Sequence, residues 1–155
     1  MFATGNAPSS QRLDVGLAVL RLALGIVFIA HGSQKLFIYG FDGLTESFAG
    51  MGIPFAGILA PAVALAEFFG GIALVVGLFT RVSATVLAAT MVGAVTIVHL
   101  PAGFFLPNGY EFAFSLLGGA AALALMGAGS YSADTVLARR RGTGTGTGTS
   151  ANRHS

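Results

Sequence analysis

Four long apolar runs follow one another along the chain, with short polar stretches between them. The runs cover Val15 to about Ile38, Ile53–Phe79, Val82–Leu106 and Phe112 to about Ala128. Each is close to the roughly 20 residues that a helix needs to cross a bilayer. The runs are apolar on nearly all sides, whereas a surface helix of a soluble protein keeps a polar face. The pattern predicts an all-α fold, an integral membrane four-helix bundle, whose fourth and shortest helix begins at Asn108 or Glu111.

Charged residues are too scarce for a soluble protein. They make up 9% of the 155 residues, and the mean hydropathy is +0.80, whereas soluble domains carry about 25% charged residues. The chain has no cysteine, which excludes disulfides, thiolate metal sites and iron–sulfur clusters built by this chain. We expect the lipid bilayer, and not nucleic acid, as the partner, because much of the basic excess lies in Arg139–Arg141 beside an apolar run.

Lysine and arginine are unevenly distributed between the two ends of the predicted helices. Arg12 precedes the first run, Arg81 lies between the second and third, and Arg139–Arg141 follow the fourth, whereas residues 101–110 contain neither. Because cytoplasmic loops are enriched in Lys and Arg, we expect a plasma-membrane protein with both termini in the cytoplasm. The predicted regions are a cytoplasmic N-terminal segment (1–14), a four-helix domain (15–138) and a basic, disordered cytoplasmic tail (139–155) with Gly-Thr repeats.

Six ionisable or imidazole side chains lie inside the apolar runs or at their ends. They are Arg21, His31, Lys35, Glu67, His99 and Glu111. Charge in hydrocarbon is costly and usually faces a partner or a water-filled cavity, so these six are the candidate functional residues. At a rise of about 1.5 Å per residue, Arg21 lies roughly 10 Å from the inner face and Glu67 roughly 20 Å from the outer face of a core about 30 Å thick. The two are therefore predicted to form a buried ion pair.

The other four side chains are expected toward the outer face. His31 and Lys35 lie one turn apart on the first helix, His99 lies near the outer end of the third, and Glu111 opens the fourth just after Asn108. Two layers are thus predicted, the inner pair and this outward group. Small residues that would let the helices pack closely around them are Gly25, Gly32, Gly70, Gly71 and Gly93.

Each layer has more than one interpretation. The Arg21–Glu67 pair is either a structural link that specifies helix arrangement or a proton relay or anchor for an anionic or quinone head group. His31 and His99 are either hydrogen-bonded interfacial side chains or part of a quinone or small polar ligand pocket, since imidazole moves protons near neutral pH. Haem ligation by the two histidines and a divalent metal held with Glu111 are the remaining alternatives.

Four stretches carry motifs in a fixed order. They are LRLALGIVFIAHGSQKLF (20–37), AEFFGGIALVVGLFTR (66–81), NGYEFAFSLLGGAAAL (108–123) and GAGSYSADTVLARR (127–140). In order and spacing they resemble DoxX-type membrane proteins, four-helix proteins that include the DoxD-like subunit of thiosulfate:quinone oxidoreductase. The family's motif positions fall on Arg21, His31-Gly32, Lys35, Glu67, Gly70-Gly71, Thr80-Arg81, Asn108-Gly109 and Glu111.

The closing motif of that family is altered in this chain. Its Gly-Pro-Gly and Ser-Leu-Asp sequences appear as Gly127-Ala128-Gly129 and Ser132-Ala133-Asp134. Alanine replaces both proline and leucine, so the turn is expected to be kept with less rigidity. His99 lies outside the motifs, and its place in the outward group rests on its predicted depth.

The resemblance implies an integral membrane subunit of a redox system. From the residue types in the outward cluster, we predict that it binds quinone or another small polar ligand there. As an enzyme it would be an oxidoreductase subunit of the thiosulfate:quinone oxidoreductase type, with His31 and Glu111 catalytic. Its ligand-binding residues would be Arg21, Lys35, Glu67, His99 and Asn108. Quinone is then the candidate cofactor, and no metal and no covalent cofactor are expected. The alternative is a non-enzymatic anchor or scaffold for soluble redox or stress-defence enzymes, and homo-oligomers stay open.

Overall fold

The computed structural model describes residues 7–143, and within them every regular element is helical. The helices are α1 (Ala7–Ser33), a π-helical segment (Gln34–Tyr39), α2 (Gly40–Gly50), α3 (Ala56–Val76), α4 (Thr80–Gly93), a second π-helical segment (Ala94–His99) with a 3₁₀ turn (Leu100–Ala102), α5 (Glu111–Met126) and α6 (Ala133–Thr143). The all-α prediction is confirmed. The predicted tail lies outside the described residues from position 144 onward.

Within residues 7–143, three helical stretches are long and apolar enough to cross a membrane. They are Ser10–Gly50, Ala56–Val76 and Thr80–Ala102, and the apolar α5 is a shorter fourth. α1 begins at Ala7, eight residues before the first apolar run starts. α5 begins at Glu111, one of the two predicted starts.

α1, α3, α4 and α5 form a closed bundle in which α1 packs on α3, α3 on α4, α4 on α5 and α5 back on α1. Its core consists of large apolar side chains that are almost inaccessible, such as Leu24, Phe28, Leu74, Leu87 and Leu123. The short α2 lies outside this ring against α3, where Leu44 packs on Ala60 and Ala64. Gly40 turns the chain into α2 with a φ of 68°, a conformation that favours glycine.

Glycines bring α1 and α3 into close backbone contact. A β-carbon at Gly32 would lie 2.5 Å from the backbone nitrogen of Phe68, and one at Gly71 would lie 2.8 Å from the carbonyl oxygen of Gly25. Such close approach is typical of glycine pairs in membrane helices. It fixes the antiparallel register of α1 and α3, so that Glu67 lies beside the C-terminal end of α1.

One end of the bundle, here called the arginine end, is closed by hydrogen bonds between loops. The Asp134 carboxylate accepts hydrogen bonds from the backbone N–H groups of Phe79 (2.8 Å) and Thr80 (3.0 Å) and so caps α4. The backbone N–H of Asp134 donates to the carbonyl of Gly77 at 2.9 Å. Asp14 of α1 accepts from the backbone N–H of Ser130 at 2.9 Å. These contacts tie α1, the α3–α4 turn and the segment between α5 and α6 together.

Candidate functional site

The opposite end, here called the histidine end, contains a cavity enclosed by all four bundle helices. The cavity has a volume of about 100 Å³ and is lined by Phe28, His31, Lys35, Glu67, Met91, Ala94, His99, Phe112, Ala113 and Leu116. Four of the six side chains predicted from the sequence are among them. The other lining residues are apolar, so these four side chains supply the polar groups of the cavity.

Glu67 forms an ion pair with Lys35, whose ammonium group donates a hydrogen bond to Oε2 of the carboxylate. The Glu67 side chain is 2% exposed and that of Lys35 is 23% exposed. The predicted pairing of Glu67 with Arg21 is therefore wrong. The close glycine contacts between α1 and α3 set a register in which Glu67 reaches Lys35, two turns beyond Phe28, and not Arg21 near the other end.

Arg21 has a structural partner set of its own at the arginine end. Its guanidinium donates from Nη1 to the carbonyl of Ala128 at 2.7 Å and from Nη2 to the carbonyl of Tyr131 at 2.8 Å. A β-carbon at Gly77 would lie 2.5 Å from Nη1, so this glycine makes room for the guanidinium. The two residues of the predicted inner layer therefore lie apart. Arg21 holds the segment after α5, whereas Glu67 lines the cavity at the histidine end.

Both π-helical segments carry a polar residue of the cavity. Lys35 lies in Gln34–Tyr39 and His99 lies in Ala94–His99. π-Helical turns are rare and occur frequently at functional sites, because the i→i+5 pattern shifts side chains out of the normal helical register. These two segments follow α1 and α4, which lie opposite each other in the bundle, and their presence in one cavity is an independent structural indication of a site there.

His99 is oriented by the loop that precedes α5. Its Nδ1 lies 3.0 Å from the backbone carbonyl oxygen of Asn108. A carbonyl oxygen only accepts, so Nδ1 carries the proton, and in the neutral ring Nε2 is then the acceptor. Asn108, predicted as a ligand-binding residue, is exposed and contacts His99 through its backbone carbonyl oxygen.

His31 and Glu111 occupy different positions relative to the cavity. His31 is an exposed residue that also lines the cavity, and its ring contacts Phe112 of α5 with centroids 5.6 Å apart. It therefore lies between the cavity and the outside of the bundle. Glu111 is absent from the cavity lining, and its Oε1 accepts a hydrogen bond from the backbone N–H of Leu106 at 2.9 Å. Glu111 thus shapes the loop that orients His99.

A larger cleft lies on the outside of the bundle between α3 and α4. It has a volume of about 540 Å³ and shares Lys35, Glu67, Ala94 and His99 with the inner cavity. The three polar residues, here called the Lys35–Glu67–His99 cluster, therefore form part of a wall common to both spaces. Gly93 lines this cleft, and a β-carbon there would meet nothing within 4 Å. It leaves space on α4, contrary to its predicted role in close packing.

Among residues 7–143, no group of three or more His, Asp or Glu side chains is placed to hold a metal ion. His31, His99 and Glu111 were considered from the sequence as metal ligands. The two histidines line the cavity, whereas Glu111 does not, so the three side chains do not form one site. The described site offers one cation, one carboxylate and two imidazoles as hydrogen-bonding and proton-transferring groups.

Comparison with known proteins gives one family match and several relatives. The family model described as DoxX matches residues 16–100. "Putative oxidoreductase CatD" of Bacillus subtilis (strain 168) is 33% identical over 118 residues, which cover 76% of this chain and 84% of that protein. "Inner membrane protein YqjF" of Escherichia coli (strain K12) is 32% identical over 133 residues, covering 82% and 95%. "Uncharacterized membrane protein Rv3486" of Mycobacterium tuberculosis (strain ATCC 25618 / H37Rv) is 33% identical over 157 residues, covering 90% and 96%. No solved structure matches the chain significantly.

Proposed function

Because the chain belongs to the DoxX family of membrane proteins, we propose that it is the membrane subunit of a redox system and binds a quinone head group at the Lys35–Glu67–His99 cluster. The name of CatD, which contains the word oxidoreductase, suggests redox chemistry for that relative. The observation that carries the proposal is the position of the cluster on a wall shared by an inner cavity and an outer, largely apolar cleft. A polar ring with an apolar tail would meet both environments there.

The cluster has the hydrogen-bonding groups that a quinone needs. Quinone carbonyls accept hydrogen bonds, and the reduced quinol donates them. Lys35 supplies a donor and a positive charge that favours the electron-rich reduced ring. Glu67 and the Nε2 of a neutral His99 supply acceptors. The group brings reversible two-electron, two-proton chemistry when bound, and a partner redox enzyme is the source of electrons.

His31 is suited to proton transfer between the cavity and the outside. The two imidazole nitrogens can accept and donate a proton, and this ring is both exposed and part of the cavity lining. His31 and Glu67 both line this cavity of about 100 Å³, which is large enough to hold water that bridges such groups by hydrogen bonds. Glu111, predicted as the second catalytic residue, lies outside the cavity lining and bonds the loop before α5, so we assign it a supporting role.

The binding test uses a tail-free quinone and purified protein in lipid nanodiscs. Lys35→Met is expected to weaken binding by about tenfold or more, since a hydrogen bond to a charged group is worth about 1.5–3 kcal/mol. His99→Phe removes a neutral partner worth about 0.5–1.5 kcal/mol and should weaken binding by about two- to tenfold. Ser115→Ala is the control, because this exposed residue of α5 does not line the cavity. Unchanged affinity in both variants, with the folded fraction also unchanged, would refute binding at this cluster.

His31→Ala tests the proton-transfer role. We expect it to reduce quinone-dependent turnover while leaving quinone affinity and folded yield near the wild-type values. Loss of folded protein would instead indicate that the His31–Phe112 contact is structural.

A second candidate function is a membrane anchor for soluble redox enzymes. The arginine end favours this, because its hydrogen-bonded loops surround a depression of about 660 Å³ with Asp14, Arg81, Asp134 and Arg139 in its lining. Charged surfaces of this kind steer association with soluble partners. Loss of a co-purifying enzyme on Arg81→Glu, with quinone affinity unchanged, would support the anchor.

We further propose that the arginine end is cytoplasmic and that both termini lie on the cytoplasmic side of the plasma membrane. Arg81 and the arginines of α6 lie at this end, in agreement with the enrichment of basic residues in cytoplasmic loops. The chain has no cysteine, so single cysteines give unambiguous labelling. Asn108→Cys should react with an impermeant maleimide on intact cells and Ser130→Cys only after lysis; the reverse pattern would overturn the orientation.

A further inference from the structure

We infer that the cleft between α3 and α4 binds the apolar tail of the ligand, so that the ligand is a long-tailed lipid-like quinone that enters sideways from the bilayer. This inference rests on the proposed function, since the head group is placed at the Lys35–Glu67–His99 cluster. The volume of the cleft, about 540 Å³, falls in the usual range of roughly 300–1,000 Å³ for ligand pockets.

The cleft is apolar except at the cluster and at Thr90. From α3 it is lined by side chains such as Leu59, Val63 and Ala66, from α4 by Val86 and Ala89, and from the π-helical segment after α4 by Ile97. Because polar residues collect at the cluster while the rest is aliphatic, the cleft matches a molecule with a polar head and a hydrocarbon body.

Small residues keep the cleft open, while the same two helices touch farther along. A β-carbon at Gly70 would lie 3.2 Å from the Leu87 side chain, whereas one at Gly93 would meet nothing within 4 Å. α3 and α4 are thus in contact near Gly70 and leave a gap near Gly93. Alanines on both facing surfaces, such as Ala62 and Ala89, widen this gap.

The length and opening of the cleft suit a tail lying along the helices. Its lining on α4 and the π-helical segment that follows extends from Val86 to His99, which corresponds to about 20 Å at a rise of about 1.5 Å per residue. Val86, Ile97 and Val98 are 44%, 48% and 37% exposed, so the cleft is open along the outer surface of the bundle. In a membrane protein this surface meets lipid, and the tail passes from the bilayer into the cleft without crossing water.

α2 limits the cleft at one side. Phe48 and Met51 contribute to its lining, and α2 itself is held against α3 through Leu44. The cleft is thus bounded by α2 on one side and carries the polar cluster on its wall, which favours a single tail attached to one head group. A second copy of the chain fits less well, because its helix would bring an apolar side chain against the Lys35–Glu67 pair.

The experiment compares quinones with and without a tail on wild-type protein and on Gly93→Leu. Both measurements are made in nanodiscs, where each quinone partitions into the same lipid for every variant. The leucine side chain fills the gap on α4 and so occupies the space that the tail would take. We expect Gly93→Leu to weaken binding of a decyl-tailed quinone by about tenfold, while a tail-free quinone binds within about twofold of wild type.

Gly118→Leu is the matched control. Gly118 is also helical and also has nothing within 4 Å of an added β-carbon, but it lies on α5 away from the cleft. It should leave the affinity for both quinones unchanged. Ala89→Phe is a second cleft-filling variant, so the test stands if Gly93→Leu folds poorly.

The other outcomes separate the two proposals. Unchanged decyl-quinone binding in both cleft variants, with tail-free binding intact, overturns the tail site and leaves the head-group site standing. Absence of binding by either quinone to the wild type overturns both. A change only in co-purifying phospholipid, or only in oligomeric mass, assigns the cleft to a lipid acyl chain or to a second copy and also overturns the inference.

Discussion

Removing Lys35 is expected to destabilise the protein more than removing Glu67, although the two form one ion pair. Lys35→Met leaves a carboxylate that is 2% exposed without its counter-charge. Breaking a buried pair from one side costs about 3–5 kcal/mol in soluble proteins, and polar contacts between membrane helices are worth less, about 0.6–1.7 kcal/mol. We therefore expect about 3 kcal/mol for Lys35→Met.

Glu67→Gln has a smaller effect, because the orphaned group can move. The Lys35 side chain is 23% exposed, and a lysine stem can carry its ammonium group toward a polar surface. A loss of about 1 kcal/mol is expected. The double variant Lys35→Met/Glu67→Gln carries neither charge and should also lose only about 1 kcal/mol, which makes the coupling between the two positions about 3 kcal/mol.

The assay is reversible unfolding in mixed micelles with increasing SDS, followed by circular dichroism, since the chain has no tryptophan for fluorescence. Arg12→Met, at an exposed position, controls for loss of a positive charge. Additive losses for Lys35→Met and Glu67→Gln would show that the pair is not formed. If Glu67→Gln were coupled to Arg21→Met and not to Lys35→Met, the Arg21–Glu67 ion pair predicted from the sequence would be supported.

Three further predictions concern the framework and use the same unfolding assay. Gly32→Ala should lower the free energy of unfolding by about 2 kcal/mol, because the added methyl group meets the α3 backbone. Gly16→Ala, with open space around it, should be neutral or stabilise by up to about 1 kcal/mol. Equal effects of the two variants would contradict the close contact. Asp134→Ala removes the cap of α4 and should cost about 1–2 kcal/mol, with the exposed Glu46→Ala near zero, and a loss no larger than that control would exclude the cap. Arg21→Lys cannot reproduce two separate guanidinium hydrogen bonds and should cost about 1–3 kcal/mol; wild-type stability would contradict its role in holding the segment after α5.

The helical architecture was predictable because the bilayer leaves few alternatives. Backbone groups in hydrocarbon must be paired within the chain, so long apolar runs such as Ile53–Phe79 become helices. Four runs predicted four bundle helices, and the structure places α1, α3, α4 and α5 at those positions. The α2 helix was not foreseen, since Gly40–Gly50 has two acidic residues and several glycines and is stabilised by packing on α3.

The relative depth of the charged residues was not predictable from the ends of the apolar runs. α1 starts at Ala7, well before the run, and the register of α1 on α3 is set by glycine contacts. The signal was present, because Gly32 and Gly71 were recognised as packing residues. Pairing them across the interface would have placed Glu67 near Lys35, far from Arg21.

Two features of the site have no signal in helical periodicity. The π-helical segments that carry Lys35 and His99 depart from the 3.6-residue repeat on which sequence patterns rest. The α3–α4 cleft depends on empty space beside Gly93, and a glycine that permits close contact looks the same in sequence as one that leaves a gap. Asp134 was recognised as a motif position, but its bond to the start of α4 is a tertiary contact.

The two ends of the bundle use their polar residues in different ways, and this difference locates the function. At the arginine end, Arg21, Asp14 and Asp134 each bond backbone groups of a loop, which accounts for them as structural residues. At the histidine end, Lys35 and Glu67 bond each other in a bundle where apolar side chains of similar volume would pack as stably, since a buried ion pair is weak evidence for stability. The same end departs from regular helix at two places and leaves a cavity and a cleft unfilled. Departures from consistent packing are expected at functional sites, so their coincidence with Lys35, Glu67 and His99 is the physical reason to place ligand binding there.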